Sequence, residues 1–427
     1  MLTYFLFIFY LVTGTVMLHL IVKRKVFPFS IFHTSAAVLF KVLLGCLYGY
    51  IFLHYYGGDD TWDYFNESKA DTDILIKHPV QFFQEFLPSF SMKITHGHVR
   101  DAVIFYIVHF EKWFMVKSLA ILNLFSGKHY YIDLLFFDLL TIAGSFLLFK
   151  LLVSRFPKRA GLYYLLVFFI PSVSFWCSGI RAESLLLLFI TLALYNGKAY
   201  AQRPGWKSAA GIILALTGFL LLRIQYLALF LPAFLAYLLS IRKKRAGPQY
   251  FSRIYLIGLL IFIGSLFLPP DYSLARPIIH SQQAFFELHG NTRYRLDSLK
   301  SQPLSFLKLL PQAVANSSLR PYPWEGKGLL QSLSSIESLF LFAALLFFLL
   351  SDRKKQMKPD PLLWLFLFFG IILLIAIGYT VPFPGAIVRY RCIPLLFIFL
   401  YLFSVDGLLH QKLNAILFRN TLNKTVM

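Results

Sequence analysis

Residues 2–25 read LTYFLFIFYLVTGTVMLHLIVKRK. The apolar run from Leu2 to Val22 is long enough for a helix that crosses a bilayer, since a crossing takes about 17–25 residues. It has no basic start and no small-residue cleavage site, so it is not typical of a removed signal peptide. We therefore expect it to remain as a membrane-spanning helix whose closing Lys23-Arg24-Lys25 cluster faces the cytoplasm.

Apolar runs closed by charged residues recur along the whole chain. Of its 427 residues, 58% are hydrophobic and 14% are charged, which is more apolar material than a soluble protein can bury. We predict an all-α fold, a polytopic transmembrane helix bundle that takes in residues 1–427 as a single integral membrane domain. About eleven candidate spans satisfy the length rule, at residues 2–22, 36–56, 133–153, 160–177, 181–197, 208–222, 224–241, 254–269, 332–350, 361–380 and 387–405.

Positive charge falls on alternate connections between these spans. The formal net charge is +21, but the lysines and arginines cluster at span ends, a pattern that sets membrane orientation and does not indicate nucleic-acid binding. The pattern predicts an N-terminus outside and a C-terminus in the cytoplasm. Residues 57–132 and 270–331 then form two long extracytoplasmic loops with interfacial helices, and residues 101–125 are expected to lie in the outer interface as an amphipathic helix.

The first candidate site follows the second predicted span, in the segment GGDD at 57–60. The glycines allow the backbone to leave a helix sharply, and two adjacent carboxylates raise one another's pKa or recruit a cation. Asp59 or Asp60 is therefore a candidate general base or ligand of a divalent cation such as Mg²⁺ or Mn²⁺. The alternative is that one of them only caps the following helix.

Two further sets of ionisable residues stand at predicted outer turns. Arg181 and Glu183 begin an otherwise apolar helix, and a charged residue at membrane depth is by default a functional candidate; an interfacial arginine and a dipole-stabilised glutamate are the alternative. Arg223 lies at the turn of the hairpin 208–241, where its two-pronged fork suits phosphate oxygens. A single headgroup contact would explain Arg223 equally.

The motif LRPYPWE at 319–325 precedes the ninth predicted span. Its two prolines predict an extended, rigid strip. Arg320 would then meet a phosphate, Tyr322 and Trp324 the faces of a sugar, and Glu325 its hydroxyl groups. An aromatic belt with a basic anchor at the membrane surface is the alternative.

The last candidate motif, GAIVRYR at 385–391, opens the final predicted span. Arg389 and Arg391 are two residues apart and so point to different faces of a helix. At most one is expected to serve lipid headgroups, and we assign phosphate binding to the inward one. Tyr390 between them is a candidate substrate contact.

Together, GGDD, PSVSFWCSGIRAES at 171–184, LRPYPWE with Glu337, and GAIVRYR resemble bacterial membrane proteins of polysaccharide assembly related to the GT-C type glycosyltransferases. The resemblance is spread over most of the chain through short motifs. It implies a polyprenyl-phosphate-linked sugar as donor, outer arginines that hold its phosphate, and an acidic residue of the first outer loop as base or metal ligand. That residue maps onto Asp59 or Asp60, although here the acidic segment follows the second predicted span instead of the first.

We therefore expect a glycosyltransferase of a bacterial inner membrane that transfers a sugar to a glycan or lipid acceptor on the periplasmic face, in cell-surface polysaccharide biosynthesis. A polymerase or ligase of O-antigen or exopolysaccharide, and a transporter or flippase of lipid-linked glycans, are the alternatives. No Walker A, Rossmann, HExxH or GxSxG pattern is present, so nucleotide-driven pumping, dinucleotide chemistry and serine hydrolysis lose their usual sequence support.

Overall fold

The computed structural model describes residues 1–84, 99–269, 272–289, 292–325, 328–350, 360–404 and 417. Every regular element assigned in these residues is helical, which confirms the all-α prediction. Two of the basic clusters at span ends, Arg353-Lys354-Lys355 and the set Lys412, Arg419 and Lys424, lie outside the described residues.

Eighteen α-helices follow one another in the described residues. They are α1 (Leu2–Lys25), α2 (Ile31–Tyr56), α3 (Asp60–Lys77), α4 (Pro79–Gln84), α5 (Val99–Ser126), α6 (Tyr130–Val153), α7 (Ala160–Phe169), α8 (Pro171–Trp176), α9 (Ala182–Gln202), α10 (Trp206–Leu222), α11 (Ile224–Arg242), α12 (Gln249–Ser265), α13 (Arg276–Glu287), α14 (Pro303–Val314), α15 (Leu329–Leu350), α16 (Pro361–Thr380), α17 (Pro384–Tyr390) and α18 (Cys392–Phe403).

Seven helices in the described residues are long and apolar enough to cross a membrane: α1, α2, α6, α9, α11, α15 and α16. The bent pair α17 and α18, which meet at 53°, makes an eighth if it is one span. The predicted span at 160–177 is broken at Ile170 into the short helices α7 and α8, because Pro171 cannot continue a helix hydrogen-bond ladder. Helices α10 and α12 have 17 residues each. The count of about eleven spans is not confirmed.

Helix α6 occupies the centre of the bundle, whereas α1 and α12 lie at its edge. The side chains of α6 are buried along most of its length, and it crosses α9 closely at Gly144. A Cβ added at Gly144 would lie 2.6 Å from Cα of Leu188, so only glycine permits this approach. Apolar residues such as Phe5 of α1 and Leu260 of α12 are exposed instead, as expected of surfaces that face lipid.

The segment predicted as the first outer loop contains more regular structure than expected. The helix predicted at 101–125 is present as α5. The helix α3 was expected only under the capping alternative for Asp59 or Asp60, and it packs along α5. Lys117 of α5 forms a buried ion pair with Asp71 of α3, with Nζ 3.0 Å from Oδ2. The carboxylates that begin α3 are therefore attached to a packed helical pair.

Candidate functional site

The turn after α2 places Asp59 against the bundle. Gly57 and Gly58 adopt φ of 75° and 118°, a left-handed conformation that glycine reaches without steric cost. The Asp59 carboxylate caps α3 by accepting hydrogen bonds from the backbone N–H and the hydroxyl of Thr61, at 3.2 and 2.8 Å. The hydroxyl of Tyr48 on α2 donates to the same carboxylate. The capping alternative thus applies to Asp59.

Arg181 approaches Asp59 from the turn between α8 and α9. Its Nη1 lies 3.0 Å from Oδ2 of Asp59 and also donates to the Tyr48 hydroxyl. The guanidinium lies over the ring of Tyr48, 4.8 Å from its centroid, and is 5.8 Å from that of Trp176. Because Arg181 is buried, this carboxylate and these ring faces supply the stabilisation that water would otherwise give.

Glu183 lies between two arginines. Its Oε1 accepts a hydrogen bond from Nε of Arg389 at 2.7 Å, and its Oε2 lies 3.6 Å from Nε of Arg181. Its side chain is 2% exposed. The two guanidinium groups therefore compensate the cost of removing this carboxylate from water. Residues far apart in the chain are in this way joined across α9 and α17.

Arg223 pairs with a residue that the sequence analysis did not propose. Its Nη1 lies 2.7 Å from Oε2 of Glu111 on α5, and its guanidinium is 5.9 Å from the centroid of Tyr390. Burial raises the pKa of Glu111, whereas the positive charges of Arg223 and Arg389 oppose that rise. Glu111 could have been found as a carboxylate interrupting an apolar run, the signal that singled out Glu183.

These contacts form one group of charges near the N-terminal end of α6. We call it the charge cluster, and it consists of Asp59, Asp60, Glu111, Arg181, Glu183, Arg223 and Arg389. It holds four carboxylates and three guanidinium groups, which leaves one formal negative charge. The cluster therefore favours a proton or a cation more than an additional anion, unless an incoming phosphate displaces a carboxylate from its arginine.

Asp60 is the accessible carboxylate of the charge cluster. Its side chain is 58% exposed, against 11% for Asp59, and its Oδ2 lies 3.4 Å from Nη1 of Arg389. Asp59 is engaged as a helix cap and ion-pair partner, whereas Asp60 presents an oxygen to solvent. Of the two residues that the sequence left open, Asp60 is therefore the one that can meet a substrate or a cation.

The described residues contain no group of three or more His, Cys, Asp and Glu side chains that could hold a metal ion. A single carboxylate can still bind Mg²⁺ when water and substrate phosphates complete the coordination. A cation at the charge cluster would then depend on Asp60 and on the bound substrate.

Arg391 is directed away from the charge cluster, as the two-residue spacing from Arg389 predicts. It is fully buried and donates to backbone oxygens of Arg320 and Ser317, at 2.6 and 3.4 Å. It also donates to the hydroxyl groups of Ser334 and Ser338, at 3.0 and 2.8 Å. These hydrogen bonds connect the end of α17 to α15 and to the backbone at Ser317 and Arg320. The phosphate contact expected of the inward arginine stays a prediction.

The LRPYPWE motif forms a closed turn and is not the extended strip that its prolines predicted. Residues Pro323–Glu325 make one turn of 3₁₀ helix, in which Nε of Arg320 lies 3.0 Å from Oε1 of Glu325. The other oxygen of Glu325 accepts the backbone N–H of Tyr322 at 3.0 Å. Trp324 stacks on Tyr322 with ring centroids 5.0 Å apart, and it is 81% exposed. We call this the Arg320–Glu325 turn.

A buried ion pair that the sequence analysis missed lies within the bundle beside the charge cluster. Nζ of Lys41 on α2 lies 3.4 Å from Oδ1 of Asp138 on α6. The same Asp138 oxygen accepts the backbone N–H of Gly179 at 3.0 Å, and Lys41 donates to the backbone oxygen of Cys177. This pair thus holds the backbone of the turn that carries Arg181. Its signal in the sequence was two ionisable residues inside predicted spans.

Comparison with known proteins gives no identification. No protein family matches the chain, and neither a curated protein nor a solved structure is detectably similar to it.

Proposed function

We propose that the chain is a membrane glycosyltransferase that takes a sugar from a polyprenyl-phosphate-linked donor and transfers it to a glycan or lipid acceptor. The observation that supports it best is the position of Asp60, an exposed carboxylate of the charge cluster held 3.4 Å from Arg389 at the end of apolar helices. A base beside cationic groups is what transfer from a phosphate leaving group requires. The proposed location is the periplasmic face of a bacterial inner membrane.

In this proposal Asp60 accepts the proton of the acceptor hydroxyl as its oxygen attacks the anomeric carbon of the sugar. The bond between that carbon and the phosphate oxygen breaks, and the polyprenyl phosphate leaves with the bonding electrons. Arg389 lies closest to Asp60 and, when Asp60 takes up the proton and loses its charge, would be released to stabilise the charge of the leaving phosphate. Arg181 and Arg223 keep their carboxylate partners and support the position of Glu183 and Arg389.

The Arg320–Glu325 turn would contact the acceptor. The exposed ring of Trp324 is backed by Tyr322, so its free face is presented to the surroundings as a flat apolar surface of the kind that packs on sugar rings. Arg391 links the two regions, because it directly follows Tyr390 at the end of α17 and donates to the backbone oxygen of Arg320.

The test is complementation of a deletion strain of the producing bacterium, scored by its glycan profile. Asp60→Asn removes the base without changing size, and we expect a loss of about 10²–10⁴-fold in product formation. Asp63→Asn is the matched control, since Asp63 is an exposed carboxylate one turn further along α3. Both variants should insert into membranes at wild-type levels. Full restoration of the glycan by Asp60→Asn would remove the proposed mechanism.

A transporter or flippase of lipid-linked glycans is the second candidate. The buried Lys41–Asp138 pair and the broken helices α7–α8 and α17–α18 favour it, because ionisable groups and interrupted helices within a bundle are typical of transport sites. The deletion strain separates the candidates. A missing sugar in the glycan indicates a transferase, whereas accumulated complete lipid-linked units indicate transport, polymerisation or ligation.

A further inference from the structure

A second polar site lies at the opposite end of α6 from the charge cluster. Here a small cleft is formed between the ends of α6, α9 and α11 and the start of α16. We call it the basic pocket; its polar lining residues are Arg155, Lys198, Gln202, Tyr237 and Asp360. The charge pattern of the sequence predicts that this end faces the cytoplasm.

Two cationic side chains, Arg155 and Lys198, line the basic pocket beside one carboxylate, and a third cation, Lys150, lies near Lys198. Nε of Arg155 lies 2.9 Å from Oδ2 of Asp360, and the other oxygen of Asp360 caps α16 at the backbone N–H of Leu362, at 2.8 Å. Lys198 interacts electrostatically with Arg155, Asp360 and Lys150. The single carboxylate therefore leaves two formal positive charges among these four groups.

The two lysines are directed by neutral oxygens. Nζ of Lys198 donates to the hydroxyl of Ser154 at 2.9 Å, and Nζ of Lys150 donates to that of Tyr195 at 3.1 Å. Hydroxyl groups orient an ammonium group without neutralising its charge. The repulsion among the three cations is consequently relieved only in part by Asp360, and an added anion would relieve more of it.

We propose that the basic pocket binds a phosphate group, supplied by the headgroup of an anionic phospholipid of the adjacent leaflet. A basic cleft between helix ends on the cytoplasmic side suits such a headgroup, and Arg155 offers a planar fork that matches phosphate oxygens. The cleft lies at the ends of candidate membrane-spanning helices, the level at which a phospholipid places its headgroup. Free inorganic phosphate has the same chemistry and is the other source of the ligand.

The pocket differs from the basic residues that merely follow a span. Arg203 and Lys207 also lie at this end, in the connection between α9 and α10, but both are exposed and neither lines the cleft. If general attraction to an anionic surface were the whole effect, Lys207 would contribute as much as Lys198. This contrast gives the experiment its control.

The experiment uses the full chain in nanodiscs and does not depend on any sugar chemistry. Binding is measured by native mass spectrometry and by thermal unfolding, with phosphatidylcholine alone, with added phosphatidylglycerol, and with phosphatidylcholine plus inorganic phosphate. We expect phosphatidylglycerol to remain bound and to raise the unfolding temperature. Lys198→Gln, which leaves the Arg155–Asp360 pair intact, should weaken its binding about fivefold, the effect expected of one lysine near an anionic headgroup. Lys207→Gln should bind as the wild type does.

Each outcome decides the proposal. Stabilisation by phosphatidylglycerol alone assigns the pocket to a lipid headgroup, and an equal effect of inorganic phosphate assigns it to a soluble phosphate. Both assignments require that Lys198→Gln reduce the effect. Two results would overturn the proposed phosphate site. One is an equal loss of anion binding in Lys198→Gln and Lys207→Gln, and the other is a wild-type unfolding temperature that neither anion raises. The glycan profile is a separate measurement. If the basic pocket does not bind phosphate, the proposal of glycosyl transfer is therefore unaffected.

Discussion

The charge cluster and the Arg320–Glu325 turn both pair arginine with carboxylate, yet they are built in different ways. The charge cluster draws Glu183, Arg389 and Asp59 from three distant parts of the chain, and Glu183 is almost completely buried. The turn is closed by residues five apart, and both of its charged side chains keep contact with solvent. The first arrangement depends on the packing of the bundle, whereas the second depends on one local turn.

Removal of one buried carboxylate should therefore have the largest effect on stability. Glu183→Gln leaves Arg181 and Arg389 with less compensation in a buried place, which costs about 3–5 kcal/mol when one partner of a buried pair is lost. Glu325→Gln is the matched change in a partly exposed pair, and we expect a cost of at most about 1 kcal/mol. Thermal unfolding of both variants in the same detergent measures the difference. Equal shifts would mean that the two regions are not held differently.

Removing one partner of the buried Lys41–Asp138 pair should cost as much stability as in the charge cluster, and more than in the Arg320–Glu325 turn. Asp138→Asn keeps an acceptor for Gly179 but leaves Lys41 uncompensated, so we expect a loss of about 3 kcal/mol. Adding Lys41→Met removes the orphaned charge and should recover much of that loss. A double variant no more stable than Asp138→Asn would show that the loss does not come from the uncompensated charge of Lys41.

Much of the architecture could be predicted from the sequence. Long apolar runs closed by charges are visible without a structure, and they predicted α1, α6 and α16 within a few residues. The broken helices could not be placed by length alone. Residues 160–177 contain an apolar run of the right length, but Pro171 interrupts the helix because it has no backbone N–H to donate. The length of an apolar run does not reveal this interruption.

Six of the seven members of the charge cluster were singled out from the sequence, Glu111 was not, and none of their pairings was predicted. An ionisable residue beside an apolar run is a visible signal, and it identified Arg181, Glu183 and Arg389. Which arginine meets which carboxylate depends on how helices far apart in sequence pack, and no spacing encodes that. The division of roles between Asp59 and Asp60 likewise follows from a cap and a packed tyrosine, which only the structure places.

The acceptor contact proposed for the Arg320–Glu325 turn predicts a smaller, selective effect. Trp324→Ala removes an exposed ring, so we expect little change in stability. In a transfer assay the KM for the acceptor should rise about fivefold while kcat stays near the wild-type value, because a lost ring contact is worth about 1 kcal/mol. Trp206→Ala, which removes another exposed ring at the opposite end, is the control. A fall in kcat with unchanged KM would place Trp324 outside the acceptor site.

The smallest expected effect concerns acidity at the charge cluster. Burial raises the pKa of Glu111 above its usual value, so the folded protein binds a proton there more readily than the unfolded chain does. This site therefore adds stability as the pH falls through that raised pKa and loses it as the pH rises again. The wild type should gain stability relative to Glu111→Gln between pH 7 and mildly acidic pH.

Glu67→Gln is the control, because it removes an exposed carboxylate paired with Lys112 of the same helix as Glu111. Solvent already screens that pair, so this variant should change the stability less. If the free energy of unfolding has the same pH dependence in both variants, burial does not raise the pKa of Glu111.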